Sequence, residues 1–164
     1  MTEDFAATTL GVSGDWLLPI KGIYANRMRL DNYTHYIDFA LAYENMWLDW
    51  SPCLKFISYV STTKTHCDYK GGIGLVECSN VVMDFTKYPD LTFGISDKYN
   101  LTMGPNEYAF AINSTAIRFN FQCGNSTDNS VGVGSMLLKK FVTTFYLDNL
   151  GYPRITIMHA PMSN

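Results

Sequence analysis

Four cysteines are the side chains of this sequence whose chemistry can be predicted most directly. Cys53, Cys67, Cys78 and Cys123 are even in number, and no two of them form the C-x-x-C pair that is typical of zinc and redox sites. We therefore expect two disulfides, which form and persist in oxidising compartments. The alternative is a cytosolic protein with four unpaired, buried thiols.

Acceptor motifs for N-linked glycosylation, N-x-[ST], point to the same compartment. They begin at Asn32, Asn100, Asn113 and Asn125, a mild excess over the roughly two that chance would give. Residues 1–4 carry neither the basic nor the apolar segment of a secretory signal. The chain is therefore either cytosolic or begins after a removed segment. The motifs and the cysteines favour the second alternative, a glycoprotein of the extracellular space or the secretory lumen.

Other chemistry-bearing clusters are weak. His66, Cys67 and Asp68 are the one compact group of metal-ligand types, but a disulfide cysteine in a polar turn accounts for them better. The glycines at 71–74 lack the lysine and helix of a phosphate-binding loop, and no G-x-S-x-G motif occurs. We expect neither a metal nor a cofactor. The three tryptophans could line a ligand groove, although core positions are more common: Trp16, Trp47 and Trp50.

The composition indicates a globular, mostly β protein. Hydrophobic residues make up 47% of the chain, charged residues 16% and aromatic residues 15%, and aromatic residues favour pleated surfaces. The net charge of −3 is spread without runs, so nucleic acid is not an expected partner. No segment approaches the roughly 18 consecutive apolar residues of a membrane helix.

The elements that must position these residues are predicted to form one domain over residues 1–164. A strand is expected at Asp4–Leu10, and helices are expected at 20–28 and 35–47. After Pro52 the pattern changes to short strands separated by turn residues. These strands are predicted at 54–60, 73–78, 91–95, 108–112, 116–122, 141–147 and 154–158.

Several of these segments stand in a familiar order. Cys78 followed by Tyr88–Phe93 and Leu101–Tyr108 resembles the C-terminal lobe of pepsin-like aspartic proteases, where a cysteine precedes a P-[DN]-[IL]-x-F strand and an L-x-P-x-x-Y turn. Val133–Asn149 is similar to the family's L-G-D-x-F-L-R segment, and Arg154–Ala160 is similar to its closing strand. The resemblance implies a pepsin-like acid-protease lobe of two packed, orthogonal sheets with short helices. It also implies the disulfide Cys78–Cys123, which leaves Cys53 to pair with Cys67.

The resemblance extends to the front of the chain, with one departure. Residues 10–19 follow the family's D-[ST]-G-[ST]-[ST]-x-L-x-L-P segment without gaps, but Leu10 stands at the catalytic aspartate and Val12 at the glycine. Shifting the alignment by one residue places Gly11 at the glycine and Thr9 at the aspartate. The predicted degenerate turn is therefore Thr9, Leu10, Gly11, Val12 and Ser13, without a carboxylate.

This loss bears on function because pepsin-type enzymes hold a water between two carboxylates that share a proton, one from each lobe. Leucine can neither accept a proton nor orient water. Asp15, five residues on, should already point away from the lobe junction. The sequence therefore predicts no catalytic residue in this chain.

Three hypotheses follow. In the first, the chain is a non-catalytic binding or structural subunit, covered by an N-lobe-like domain or protein partner or by self-association into an oligomer or filament. In the second, it is one lobe of a two-chain active aspartic endopeptidase, which would require a carboxylate at the junction. In the third, it is an unrelated secreted β domain.

Overall fold

The computed structural model describes residues 5–8, 16–33, 35–39, 44–70, 75–81, 83–125 and 130–159. Most of these residues lie in strands. The described strands are β1 (Phe5–Thr8), β2 (Leu17–Ile20), β3 (Gly22–Ala25), β4 (Met28–Arg29), β5 (His35–Asp38), β6 (Met46–Asp49), β7 (His66–Lys70), β8 (Leu75–Ser79), β9 (Leu91–Gly94), β10 (Asn100–Met103), β11 (Ala109–Asn113), β12 (Ala116–Gly124), β13 (Ser130–Gly132), β14 (Phe141–Leu147) and β15 (Pro153–His159). The described helices are α1 (Trp50–Val60), α2 (Pro105–Tyr108) and α3 (Ser135–Lys140), and Phe85–Lys87 forms a short 3-10 turn.

The described strands form three sheets. The largest has the order β2-β5-β13-β6-β12-β8-β7, with β11 added to β12. A second sheet has the order β10-β9-β3-β4, and a third has the order β1-β15-β14. The mostly β fold class that the composition indicated is confirmed.

One continuous apolar core joins the sheets and α1. β12 shows how the sequence builds it, since buried and half-buried residues alternate over its nine positions, as a strand with one face on the core requires. Phe119 and Phe121 of β12 meet Phe56 of α1, with ring centroids 5.1 and 5.0 Å apart and the rings nearly perpendicular. Such edge-to-face pairs stabilise a core beyond the area that they bury.

Tyr108 closes this core from the side of α2. Its side chain is fully buried, and its hydroxyl donates a hydrogen bond to the carbonyl oxygen of Pro89. Burial and the nearby carboxylate of Asp90 raise the pKa of Tyr108 well above the ordinary value for tyrosine. The hydrogen bond joins the predicted Pro-Asp-Leu strand to the predicted Pro-x-x-Tyr turn, so the two motifs meet in space.

The helices expected at 20–28 and 35–47 are wrong, because these segments contain β3, β5 and β6. Strand pairing overrides the helical spacing here: Ile23 lies opposite Phe93 of β9, and Ile37 lies opposite Leu18 of β2. In β5 the buried residues are His35 and Ile37, which alternate, whereas the spacing argument relied on the half-buried Tyr36.

The strand expected at 54–60 is also wrong, because this segment belongs to α1. Pro52 lies in the first turn of the helix, where its missing N–H has no helical partner to lose. Cys53, Phe56 and Val60 are buried and recur at spacings of three and four residues, which places them on one helix face. The later strands are confirmed, and β14 has the predicted bounds.

Two disulfides are present, but the predicted pairing is wrong: Cys53 bonds Cys123, and Cys67 bonds Cys78. Cys67 and Cys78 lie directly opposite each other on β7 and β8, with Cα atoms 4.0 Å apart. Cys78 lies opposite Ile117 of β12. Cys123 is therefore six residues further along that strand, about 20 Å away at the usual rise per residue. A disulfide cannot span that distance.

Candidate functional site

β13 is an interior strand of the large sheet and lies between β5 and β6. β13 pairs in parallel with β5 on one side and antiparallel with β6 on the other. β5 and β6 are consecutive along the chain, so β13 lies inside the unit that they form. Val133 donates its N–H to the carbonyl oxygen of Asp38 at 2.8 Å, which extends the pairing beyond the end of β5.

Asp38 is the last residue of β5 and lies beside this crossing point. It is half-buried, and it lies opposite Leu17 of β2 and Gly132 of β13. The backbone of Asp38 is held by strands on both sides, and acid–base chemistry needs a group at a fixed position. Sequence reasoning missed Asp38 because it assigned 35–47 to a helix; the alternation of buried and half-buried positions over 35–38 is seen only in the fold.

Phe39, which follows Asp38, belongs to the core. Its side chain is only 5% exposed, and its ring meets Phe145 of β14 edge-on with centroids 5.6 Å apart. Trp16 contacts the same phenylalanine at 5.0 Å. The residue after the carboxylate is therefore an apolar anchor between the large sheet and the β1-β15-β14 sheet.

The predicted degenerate turn, residues 9–13, and Asp15 lie outside the described residues. The sequence itself adds a finding that does not depend on that alignment: no Asp-Ser-Gly or Asp-Thr-Gly triplet occurs anywhere in the 164 residues. At Asp38 the corresponding residues are Phe39 and Ala40. Whichever segment is compared with the family's catalytic turn, the triplet is incomplete.

Trp47 of β6 lies on the outer face of the same sheet, over two glycines. A Cβ added to Gly124 would lie 2.6 Å from the indole Nε1, and one added to Gly132 would lie 3.2 Å from Cβ of Trp47. The two positions therefore have to be free of side chains for the ring to lie where it does. Trp47 is 40% exposed, so the core placement favoured from the sequence is wrong for this tryptophan, whereas Trp16 and Trp50 do pack against the core.

A buried polar cluster lies on the inner side of β5. Asp31 is 2% exposed, and its Oδ1 accepts hydrogen bonds from the backbone N–H of Ile23 at 2.8 Å and from Nε of Arg29 at 3.2 Å. Nε2 of His35 is 3.8 Å from the Asp31 carboxylate, and Nδ1 is 4.0 Å from that of Asp49. The cluster ties β3, β4, β5 and the start of α1 together, a structural role.

A cavity of about 250 Å³ opens beside this cluster, lined by His35, Asp49, Trp50, Asn32 and Asn125 among others. Among the residues that the structure describes, no three His, Cys, Asp or Glu side chains are grouped closely enough to hold a metal ion. His66 and Asp68, weighed earlier as metal ligands, flank the disulfide cysteine Cys67 on β7. No described helix has the length and apolar character needed to cross a membrane.

The four glycosylation motifs differ in their surroundings. All four asparagines are exposed. Asn32 accepts a hydrogen bond from Nζ of Lys55 at 2.7 Å, and Asn125 follows the end of β12. Asn100 begins β10, where the motif threonine, Thr102, shares a hydrogen bond with the hydroxyl of Thr92. Asn113 ends β11 at a hairpin turn.

Comparison with known proteins identifies the architecture. No protein-family model matches the chain, and no curated protein matches its sequence. Among solved structures, basic 7S globulin from soybean superimposes on 96% of this chain with a TM-score of 0.71 and 9% identity. Conglutin gamma, a basic 7S globulin from lupine seeds, covers 96% with a TM-score of 0.69 and 10% identity. The protein edgp covers 95% with a TM-score of 0.67 and 14% identity.

The fold is pepsin-like. The acid-protease architecture implied by the sequence resemblance is therefore confirmed, although the pairing of its cysteines is not the one expected. The chain spans only 41–44% of the length of these neighbours. At such low identity the similarity establishes the fold alone, and the assignment to the C-terminal lobe remains a prediction from the sequence motifs.

Proposed function

We propose that this chain is a non-catalytic module of pepsin-like fold that acts as a binding or structural subunit outside the cell or in the secretory lumen. The observation that carries the proposal is the absence of an Asp-Ser-Gly or Asp-Thr-Gly triplet from the whole sequence. The two disulfides support the oxidising compartment.

The chemistry around Asp38 supports the loss of catalysis. A pepsin-type dyad needs a hydrogen-bonded network that holds two carboxylates and one water in place. Phe39 offers no hydroxyl to such a network, and its ring is committed to the core against Phe145.

The partner that we propose covers the β1-β15-β14 sheet. Among the described strands, β14 pairs with β15 alone, so its other edge is open to a further strand within the part of the chain that the structure describes. The outer face and end of this hairpin are apolar and exposed: Val142 is 42% exposed, Tyr146 40%, Leu147 65%, Leu150 81% and Tyr152 56%. A concentration of exposed apolar side chains at a free sheet edge is typical of a protein interface.

Two kinds of partner fit this surface. The first is an N-lobe-like domain or protein, and the neighbours of similar fold, which are more than twice as long as this chain, support it. The second is another copy of the chain, which could extend the sheet across a two-fold axis or, if the contact does not close, into a filament. Isolating the protein from its native source under mild conditions and identifying what co-purifies distinguishes the two.

A second candidate function is one lobe of a two-chain active aspartic endopeptidase, and the position of Asp38 is the observation that favours it. Asp38 ends an interior strand of the large sheet, and the residue is half-buried. If a partner lobe supplied a second carboxylate opposite it, the two could share a proton. The alternative therefore depends on Asp38, or on Asp15, which lies outside the described residues.

The test is a hydrolysis assay on the native assembly at acid pH, with unfolded protein as substrate. The wild-type chain is compared with Asp38→Asn and Asp15→Asn, which keep the shape of the side chain but remove its charge. We expect no cleavage in any of the three. Cleavage by wild type that either substitution abolishes would contradict the proposal and establish the second candidate.

A further inference from the structure

We infer that Asn113 is an N-linked glycosylation site in the folded protein; the inference depends on the proposed passage through the secretory lumen. Asn113 ends β11, and Ala116 lies opposite it at the start of β12, so Ser114 and Thr115 form a two-residue hairpin turn. All three residues of the motif, 113–115, are exposed. The acceptor therefore stays accessible after the chain has folded.

The turn fixes the side chain of Asn113. Its Oδ1 accepts hydrogen bonds from the backbone N–H of Thr115 at 2.9 Å and from the hydroxyl of Thr115 at 3.2 Å. This is an Asx turn, the local conformation that asparagine favours. Because Oδ1 faces the turn, Nδ2 faces the other way, and no described hydrogen bond engages it. The reactive nitrogen and the motif hydroxyl are thus held on one exposed turn.

The Asn100 motif, which is also described in full, lacks this combination. In the Asn100 motif, Leu101 is 6% exposed and Thr102 bonds Thr92 across the sheet, so folding withdraws two of its three residues. Modification at Asn100 would have to precede folding, whereas modification at Asn113 would not.

The transfer needs a lipid-linked oligosaccharide pyrophosphate as donor. Nδ2 of Asn113 forms a bond to the anomeric carbon of the first sugar while the bond from that carbon to the pyrophosphate oxygen breaks. The pyrophosphate leaves with the electron pair, and one amide proton is released to base. Nothing is oxidised or reduced.

A glycan at this turn would also protect the edge strand β11 from pairing with another chain. β11 pairs with β12 alone among the described strands, and its Phe110 and Ile112 are 44% and 43% exposed. An apolar edge strand can pair with another chain. A bulky, hydrated group at the end of β11 obstructs such pairing.

The experiment expresses the full chain behind a secretion leader in eukaryotic cells and maps glycans by peptide mass spectrometry. We expect a glycan on the peptide that contains Asn113 in the wild type and in Thr115→Ser, which keeps the hydroxyl. Asn113→Gln and Thr115→Ala should each lose one glycan, and Asn100→Gln should keep the glycan on Asn113. Thermal unfolding of each variant checks that it has folded.

An unmodified Asn113 in the secreted wild type would overturn the inference, as would a Thr115→Ala protein that kept the glycan. The same mapping on protein from the native source separates this inference from the proposed function. If leader-directed protein is modified at Asn113 but native protein carries no glycan at any motif, the acceptor site stands and the lumenal localisation fails.

Discussion

At the scale of single residues, the position of the Trp47 ring depends on the absence of side chains at Gly124 and Gly132. We predict that Gly124→Ala displaces the indole, because the new methyl group would lie 2.6 Å from Nε1. The emission of Trp47 should move to longer wavelength as the ring enters water, and the free energy of unfolding should fall by about 1–3 kcal/mol, the usual cost of overpacking.

The matched control is the same substitution in a Trp47→Ala background, where no ring opposes the methyl group. There Gly124→Ala should cost far less, and the difference between the two backgrounds measures the interaction. Equal effects in both would show that the ring does not lie over Gly124.

Because of Tyr108, the protein should lose stability at alkaline pH. Its pKa is raised in the folded state by burial, whereas tyrosine in the unfolded chain ionises near pH 10. Below that pH the phenol is neutral in both states and the full stability is present. As the pH rises above about 10, only the unfolded state loses the proton, so the free energy of unfolding should fall.

Tyr108→Phe should remove this part of the pH dependence while lowering stability at neutral pH by about 1–3 kcal/mol, because the carbonyl of Pro89 loses its donor. Denaturant unfolding at pH 7 and pH 11 measures both effects. The partly buried Tyr88, whose pKa is also raised by burial, gives a smaller residual dependence. An unchanged alkaline slope in the variant would contradict the assignment.

Single residues also show what the sequence could not predict. The formation of two disulfides was predicted from the count and spacing of the cysteines. Which cysteines bond to each other depends on which strands are neighbours. Cys67 and Cys78 meet only because β7 and β8 pair in that register. Asp38 was missed for a similar reason: its significance comes from β13, which is more than 90 residues later in the chain.

At the scale of elements, the two disulfides join different parts of the fold. Cys53–Cys123 ties α1 to β12 across 70 residues of sequence, and Cys67–Cys78 closes a hairpin across 11. From the entropy of loop closure we predict that replacing the first pair by alanine costs about 4 kcal/mol and the second about 3 kcal/mol. Denaturant unfolding of the two double variants gives the comparison.

Peptide mapping without reduction provides the check on connectivity. Fragments linked through Cys53–Cys123 and Cys67–Cys78 are expected. A fragment linked through Cys78–Cys123 would contradict the register of β8 against β12 and with it the described order of the large sheet.

Elements with local signals were predictable, and those that depend on distant partners were not. β14 and β15 form a hairpin of strand-forming residues with a turn at Asp148–Tyr152, so the pattern and the pairing agree. β5 and β6 have helical spacing by chance, and they become strands because β2, β12 and β13 supply hydrogen-bond partners. The Pro-x-x-Tyr motif was recognised from the spacing of its own residues, and the fold shows its tyrosine bonded to Pro89, 19 residues earlier.

At the scale of the whole molecule, the free edge of β14 is where we expect a partner. We predict that Tyr146→Arg weakens association, because a charge on the outer face of this edge would have to be buried without a counter-charge. Analytical ultracentrifugation of the native assembly measures the effect. Tyr59→Arg, at a residue that is 43% exposed on α1, is the matched control and should leave association unchanged. Equal weakening by both variants would contradict the assignment of the surface.

The central claim is that this pepsin-like fold no longer holds a catalytic pair of carboxylates. Since the substrate of any active form is unknown, the most direct measurement is calorimetric titration of the native assembly with a statine-type transition-state mimic at acid pH. This ligand requires two carboxylates that share a proton. We predict no binding heat above that of the Asp38→Asn variant. Saturable binding that Asp38→Asn abolishes would show that Asp38 belongs to a working dyad and that the chain is part of an enzyme.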